Sequence, residues 1–320
     1  MSTIKDFTLS ISELKFVGKD LSQPESVIAE KDGTLWVSDK RGTVTRIDPD
    51  GSQTILGASG GEPNGLAMDR DGNLYVANLE NGNLVKMYRD GREEVILDAI
   101  DGQPLGAVNF PFIDSKDRLW VSVTTRRRPW FLAAADPQPD GYVILIDEKG
   151  ARIVADNLLV ANEVRLDADE KYLYVAETMA RRVVRYPVHK DGSLGEKEVY
   201  GPSDFGLGAF TDGITFDAEG NLWVSLVSRN GLAIITPDGD WHMVFEEANE
   251  KALQNMMDKI KAGELTPPDF FACAGQNILF PTSVTFAGDD LKTVYMGSLA
   301  MPHLITFRSP VAGLAMRHWQ

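Results

Sequence analysis

The sequence predicts an all-β protein, a six-bladed β-propeller with one helical insertion between its fifth and sixth blades. Three observations predict it. A motif of two short strands joined by an acidic–glycine turn recurs six times along the 320 residues. The aromatic residue of its second strand falls at Trp36, Tyr75, Trp120, Tyr174, Trp223 and Tyr295, at spacings of 39 to 72 residues, against the roughly 40–50 residues of a propeller blade. Between copies, further strands of alternating polarity end in turns, so each unit reads as a four-stranded antiparallel meander. One such sheet cannot bury both faces, whereas six packed about an axis can. The expected domain is a single unit over residues 1–320.

The clearest copy is FTDGITFDAEGNLWVS at residues 210–225. Ile214 and Phe216 lie on its first strand, Glu219 and Gly220 form the turn, and Leu222, Trp223 and Val224 lie on the second. Glycine and its acidic or amide neighbours tolerate the positive φ that such turns need. The other copies are PESVIAEKDGTLWVS (24–38), PNGLAMDRDGNLYVA (63–77), VNFPFIDSKDRLWVS (108–122), ANEVRLDADEKYLYVAE (161–177) and PTSVTFAGDDLKTVYMGS (281–298). Third strands follow at GTVTRI (42–47), GNLVKM (82–87), YVILI (142–146), RVVRY (182–186) and LAII (232–235). The segment around 14–17 is expected to pair near 303–307 and so to close the ring between the last and first blades. One stretch breaks the β rhythm. In FEEANEKALQNMMDKIKA (245–262), Phe245, Ala248, Ala252, Met256 and Ile260 recur at helical spacing and Gly263 is a suitable stop. That predicts a helix packed on one face of the propeller, with a lid over the channel as the alternative. Long loops at 124–141, carrying Arg126, Arg127, Arg128 and Trp130, and at 200–210 are candidates for function.

Composition narrows the function classes. Hydrophobic residues make up 43% and charged residues 25%, the balance of a soluble globular chain. A formal net charge of -15 repels nucleic acid and anionic membranes but suits a cation. One cysteine, Cys273, rules out an intramolecular disulfide framework and fits a reducing compartment. The charged N-terminal stretch lacks the apolar run of a secretory signal, and no stretch is long enough to span a bilayer. A cytoplasmic protein acting on a small molecule, without nucleic-acid or membrane partners, is expected. Oligomeric state is open.

Counting back from each aromatic exposes a second register. Eleven residues before Trp36, Tyr75, Trp120 and Trp223 stand Glu25, Asn64, Asn109 and Asp212; the longer fourth and sixth copies place Asn162 and Thr282 there. Equivalent positions of a propeller converge on its axis, so these side chains would present a ring of oxygens. Carboxylate and amide oxygens suit a hard divalent cation. Zinc prefers histidine or cysteine, and His189, His242, His303 and His318 all lie off the register. Each ring residue could alternatively be an ordinary turn former, as the Pro-Asn-Gly at Asn64 and the Asp-Gly at Asp212 suggest.

At these residues the chain resembles the senescence marker protein/gluconolactonase family, which includes luciferin-regenerating enzymes, and is similar to diisopropyl fluorophosphatase. The stretches that carry the resemblance are PDGYVILIDEKG (139–150), ANEVRLDADEKYLYVAETMARRVVRYPV (161–188), TDGITFDAEGNLWVS (211–225) and PTSVTFAGDDLKTVYMGS (281–298). It implies a propeller with one divalent cation in the axial channel, Ca²⁺ ahead of Mg²⁺, Mn²⁺ or Zn²⁺. The family's ligands match Glu25, Asn109, Asn162 and Asp212. Lactone hydrolysis is the common family activity; related propellers cleave phosphoester-type bonds, and strictosidine synthases do not hydrolyse.

The chain departs from the sugar-lactone pattern. Phe110 stands where many members have aspartate after the asparagine, Glu163 where many have glycine, and Ala107 where sugar-lactone members carry an arginine. With Phe110, Phe112, Phe205 and Phe210 expected at the channel mouth, the resemblance implies a metal-dependent lactonase for a fairly apolar or aromatic lactone. Asp212 is the expected catalytic group. Asn64, Phe110, Arg126 and Phe210 are the expected substrate contacts, Arg126 through bidentate hydrogen bonds to a carboxylate. The alternatives are a non-hydrolytic lyase, isomerase or cyclase at the same site, and a binding propeller with a structural metal. No histidine lies at a repeat-equivalent position to build a Ser-His-Asp arrangement.

Overall fold

The alternating runs of the repeats become strands because their apolar side chains can be buried on both faces between neighbouring sheets. The computed structural model describes residues 4–319, so residues 1–3 and 320 of the expected domain lie outside the described residues. Among those described, six four-stranded antiparallel sheets are the blades of the expected propeller. Their innermost strands are Val27–Ala29, Pro63–Met68, Val108–Ile113, Ala161–Leu166, Thr211–Phe216 and Pro281–Ala287. Each touches the innermost strand of the next blade, and the last returns to the first. The ring closes as expected: Lys15–Val17 supplies the outermost strand of the sixth blade, with Phe16 opposite Ile305 and Val17 opposite Leu304.

The acidic turns do more than reverse the chain. Trp120 and Trp223 are fully buried and donate their Nε1–H to Asp114 Oδ2 at 2.9 Å and Asp217 Oδ2 at 3.0 Å. Trp36 does the same to Glu30 at 2.7 Å. A buried indole N–H needs a partner, so the turn acid and the strand aromatic fix each other.

The insertion begins later than its apolar spacing suggested. Trp241–Phe245 is the outer strand of the fifth blade, and the helix runs Glu250–Ala262, capped by the Asn249 side chain and ended by Gly263 at φ 69°. Phe245 and Ala248 precede the helix because the strand's pairing to Leu232–Ile235 claims the first of them. The 124–141 loop contains a short helix, α1 (Phe131–Ala135); the insertion contributes α2 (Glu250–Ala262) and α3 (Pro267–Phe271). Leu253, Met256, Leu265 and Phe270 of the insertion form one core with Ala133, Val160, Met179 and Phe210 of the propeller face. Among the described residues no helix is long and apolar enough to cross a membrane.

Candidate metal centre and substrate cavity

The register residues are held by a recurring backbone device. In five blades the innermost strand is irregular where the ring residue sits, the pairing shifting between Pro63 and Leu66, Val108 and Phe110, Ala161 and Val164, Thr211 and Ile214, and Pro281 and Val284. Such bulges re-aim a side chain near functional sites. Gly65 and Gly213 are not turn formers, as the dipeptides had suggested. Both lie on strands, where a Cβ on Gly213 would stand 2.4 Å from Thr282 O and one on Gly65 2.6 Å from Asn109 O. They let adjacent blades approach at the ring.

Side-chain hydrogen bonds then orient the amides. Asn109 Nδ2 donates to Thr124 Oγ1 at 2.9 Å, and Thr124 Oγ1 donates to Ala161 O at 3.0 Å. One blade on, Asn162 Nδ2 donates to Thr178 Oγ1 at 3.3 Å, and that hydroxyl donates to Thr211 O at 2.8 Å. Asn64 Nδ2 donates to Asn109 O at 3.2 Å. Each amide is anchored by its nitrogen, which leaves its oxygen free. Glu25 Oε2 and the Oδ1 atoms of Asn64, Asn109 and Asn162 are all buried and have no hydrogen-bond partner among the described residues. Unpaired buried oxygens are costly, and four on one register call for a shared electropositive partner.

Charge points the same way. Burial pushes the Glu25 carboxyl well above its ordinary range, and Asp212, Glu163 and Glu62 add to the rise. Asp212 is raised first by burial and then by Glu163. Glu163 itself is paired with buried Arg165 at 3.1 Å, which opposes the effect of its burial. Glu25 and Asp212 are thus left without a countercharge, the complement of a divalent ion. Among the described residues no group of three or more His, Cys, Asp or Glu could hold a metal. The donor set is two carboxylates plus amide oxygens, which fits a hard cation such as Ca²⁺ and does not fit Zn²⁺.

Glu25, Asn64, Asn109, Asn162 and Asp212 line one cavity of ≈ 70 Å³. Thr124 and Thr178 are the other polar side chains lining it; the remaining walls are apolar, including Leu79, Trp130, Met179, Phe210, Val227 and Phe270. Thr282, on the same register, instead donates to Glu25 O at 2.6 Å. Of the expected substrate contacts, Asn64 and Phe210 line the cavity. Phe110 does not. It is buried behind Asn109, its ring 4.4 Å from the Arg165 guanidinium, because successive strand residues point to opposite faces. Arg126 is also elsewhere: it pairs with Asp156 at 3.1 Å and lies over the Tyr142 ring. Phe205 packs edge-on against Trp241. Phe112 and Arg165 line a separate cavity of ≈ 70 Å³ beneath Leu314–Arg317.

The walls follow a register that was readable. The residues four beyond each aromatic are Lys40, Leu79, Thr124, Thr178, Val227 and Leu299, and all but Lys40 line the cavity. Leu253 and Met256 pack α2 down, the packing expected of it, and Ile260 lines the cavity.

Comparison with known proteins gives the family and the fold. The family model described as SMP-30/Gluconolactonase/LRE-like region matches residues 23–247. The chain is 24% identical over 269 residues to 6-deoxy-6-sulfogluconolactonase of Pseudomonas putida, across 82% of this chain and 78% of that one. It is 25% identical over 246 residues to diisopropyl-fluorophosphatase of Loligo vulgaris, across 70% and 78%. Among solved structures, a calcium-binding protein, regucalcin, of Agrobacterium tumefaciens shares the fold at a TM-score of 0.69 and 15% identity, over 95% of this chain and 98% of that one.

Proposed function

The chain belongs to the SMP-30/gluconolactonase/LRE-like family, and from that premise we propose that it is a divalent-metal-dependent hydrolase of ester-like bonds, a lactonase for lactones carrying an apolar or aromatic group. The observation that carries the reading is the set of four orphaned buried oxygens, on Glu25, Asn64, Asn109 and Asn162, beside Asp212 at the polar end of an apolar cavity. Those five residues would hold the cation. A divalent cation there supplies Lewis-acid polarisation of a carbonyl and a countercharge for the oxyanion.

The chain's own groups supply the rest. The apolar walls exclude water from all but the polar end of the cavity and bind the substrate's hydrocarbon. Asp212 and Glu25 are the carboxylates lining the cavity, and Asp212 orients the attacking water or accepts its proton. Among the described residues no lysine or arginine lines the cavity, so it offers no cationic side chain to a sugar or carboxylate group. The relatives named for a lactone and a fluorophosphate support hydrolysis of an activated ester-like centre.

The test is metal content and turnover across a lactone panel, for the parent and Asp212→Asn. We expect one bound divalent ion per chain and alkyl- or phenyl-substituted lactones opened in preference to glucono-δ-lactone. Asp212→Asn should lose about 10²–10⁴-fold in kcat. A calcium-loaded parent that opens no lactone, or that prefers the sugar lactone, overturns the proposal.

A further inference from the structure

The cavity does not end at its apolar walls. A second chamber, of ≈ 270 Å³, lies between the 124–141 loop and α3, and shares Trp130, Phe270 and Leu299 with the inner cavity. Phe131, Pro267 and Phe271 complete its apolar lining. Phe271 is 51% exposed although it packs edge-on to both Phe270 and Phe280. The polar residues at this chamber are Gln23, Lys40 and Glu62, and they satisfy one another. Glu62 accepts Gln23 Nε2 at 2.6 Å and Trp130 Nε1 at 3.1 Å, and stands 3.7 Å from Lys40 Nζ. The Glu62 carboxylate thus latches the loop that carries Trp130 and Phe131, leaving the aromatic faces toward the chamber.

We propose that this chamber is an outer subsite for an unbranched hydrocarbon substituent, whose reacting ring sits in the inner cavity; the inference rests on reading that cavity as the substrate site. Trp130, Phe270 and Leu299 line both, so the two cavities adjoin at those residues. The apolar lining and the mutually paired polar groups leave hydrocarbon as the chemistry best recognised there. Chain length would then set affinity, because each methylene that enters leaves water for an apolar surface.

The experiment separates this from the hydrolase reading by measuring binding without turnover. Calorimetric titration of the calcium-loaded full chain uses 2-alkylcyclopentanones, ring ketones that cannot be hydrolysed, with substituents from ethyl to octyl. Kd is expected to fall about fourfold per added methylene until the chain reaches solvent. Phe271→Ser and Phe131→Ser should each flatten that dependence for the longer members. Phe16→Ser, an exposed phenylalanine on the sixth blade's edge, should leave it intact; thermal unfolding establishes that each variant is folded. A Kd independent of chain length, or a dependence unchanged in both chamber variants, overturns the subsite. A chain-length ladder in a protein that opens no lactone supports the subsite while removing the hydrolase reading.

Discussion

At the scale of single residues, the ring amides are oriented by hydroxyls that line the same cavity. Thr178 accepts from Asn162 and donates to Thr211 O, both fully inside the protein. Thr178→Val keeps the shape and removes both bonds, so it should cost about 1–3 kcal/mol. Freed to rotate, Asn162 no longer offers its oxygen reliably, and calcium affinity should fall about 10–100-fold, the usual effect of losing a supporting hydrogen bond. Urea unfolding and calcium titration read the two effects separately; unchanged calcium affinity would show that the bond does not orient the amide. Gly213 makes the complementary case. Its Cβ would meet Thr282 O at 2.4 Å and Ser283 Cα at 2.7 Å, backbone atoms that cannot rotate away. Gly213→Ala should therefore separate the fifth and sixth blades at the ring and destabilise by about 1–3 kcal/mol, with a lowered urea midpoint as the measure.

Elements divide into those the chain repeats and those it inserts, and the division decides what could be read from sequence. The blades and the ring were legible because every position has five sisters: one oxygen-bearing side chain means little, but Glu25, Asn64, Asn109, Asn162 and Asp212 are in phase, and all five line one cavity. The roof had no sisters. Trp130 lies in a loop that only the third blade carries, and Phe270 in an insertion that only the fifth-to-sixth connection carries, so no register pointed to either. Phe110 misled because chemistry was inferred without the strand's alternation, which turns it away from the side that Asn109 takes. α2 shows what the insertion contributes energetically. Leu253 is fully buried, and a Cβ on Gly208 would lie 2.6 Å from its Cδ2, so the helix seats closely on the loop below. Leu253→Ala should cost about 2–5 kcal/mol, expressed first as loss of amide protection in 250–271 while the blades stay protected. Simultaneous loss throughout the chain would instead show that the insertion is part of the propeller's cooperative core.

The whole molecule is closed at both ends by the same economy of chain. Residues 4–17 reach the sixth blade through Lys15–Val17, and the C-terminal segment packs against the fifth, third and first blades. Ala312 accepts from Ala218 N, Leu314 N donates to Phe216 O, Arg317 pairs with Asp117, and Trp319 Nε1 donates to Ala29 O at 2.9 Å. That strap ties the sixth blade to the fifth, third and first, and covers the cavity lined by Phe112 and Arg165. His318 makes the strap sensitive to acid. Its Nε2 lies 2.9 Å from Ala29 O, and burial lowers its pKa below the usual value, with the Ala29 bond and then Glu30 opposing the shift. In the docked strap the ring stays neutral where a free histidine, of pKa about 6.5, takes up a proton. Above that pH both forms are neutral and docking is independent of pH. As pH falls below about 6.5 the undocked form gains the proton first, so docking weakens, by at most tenfold per pH unit for one group, until the docked ring itself titrates. Hydrogen exchange of residues 312–319 should accordingly open faster below pH 6.5 after correction for intrinsic rates, whereas His318→Gln should leave the opening equilibrium flat across that range. A parent whose strap opens equally at pH 5.5 and 7.5 would assign the closure to Arg317 and Trp319 alone.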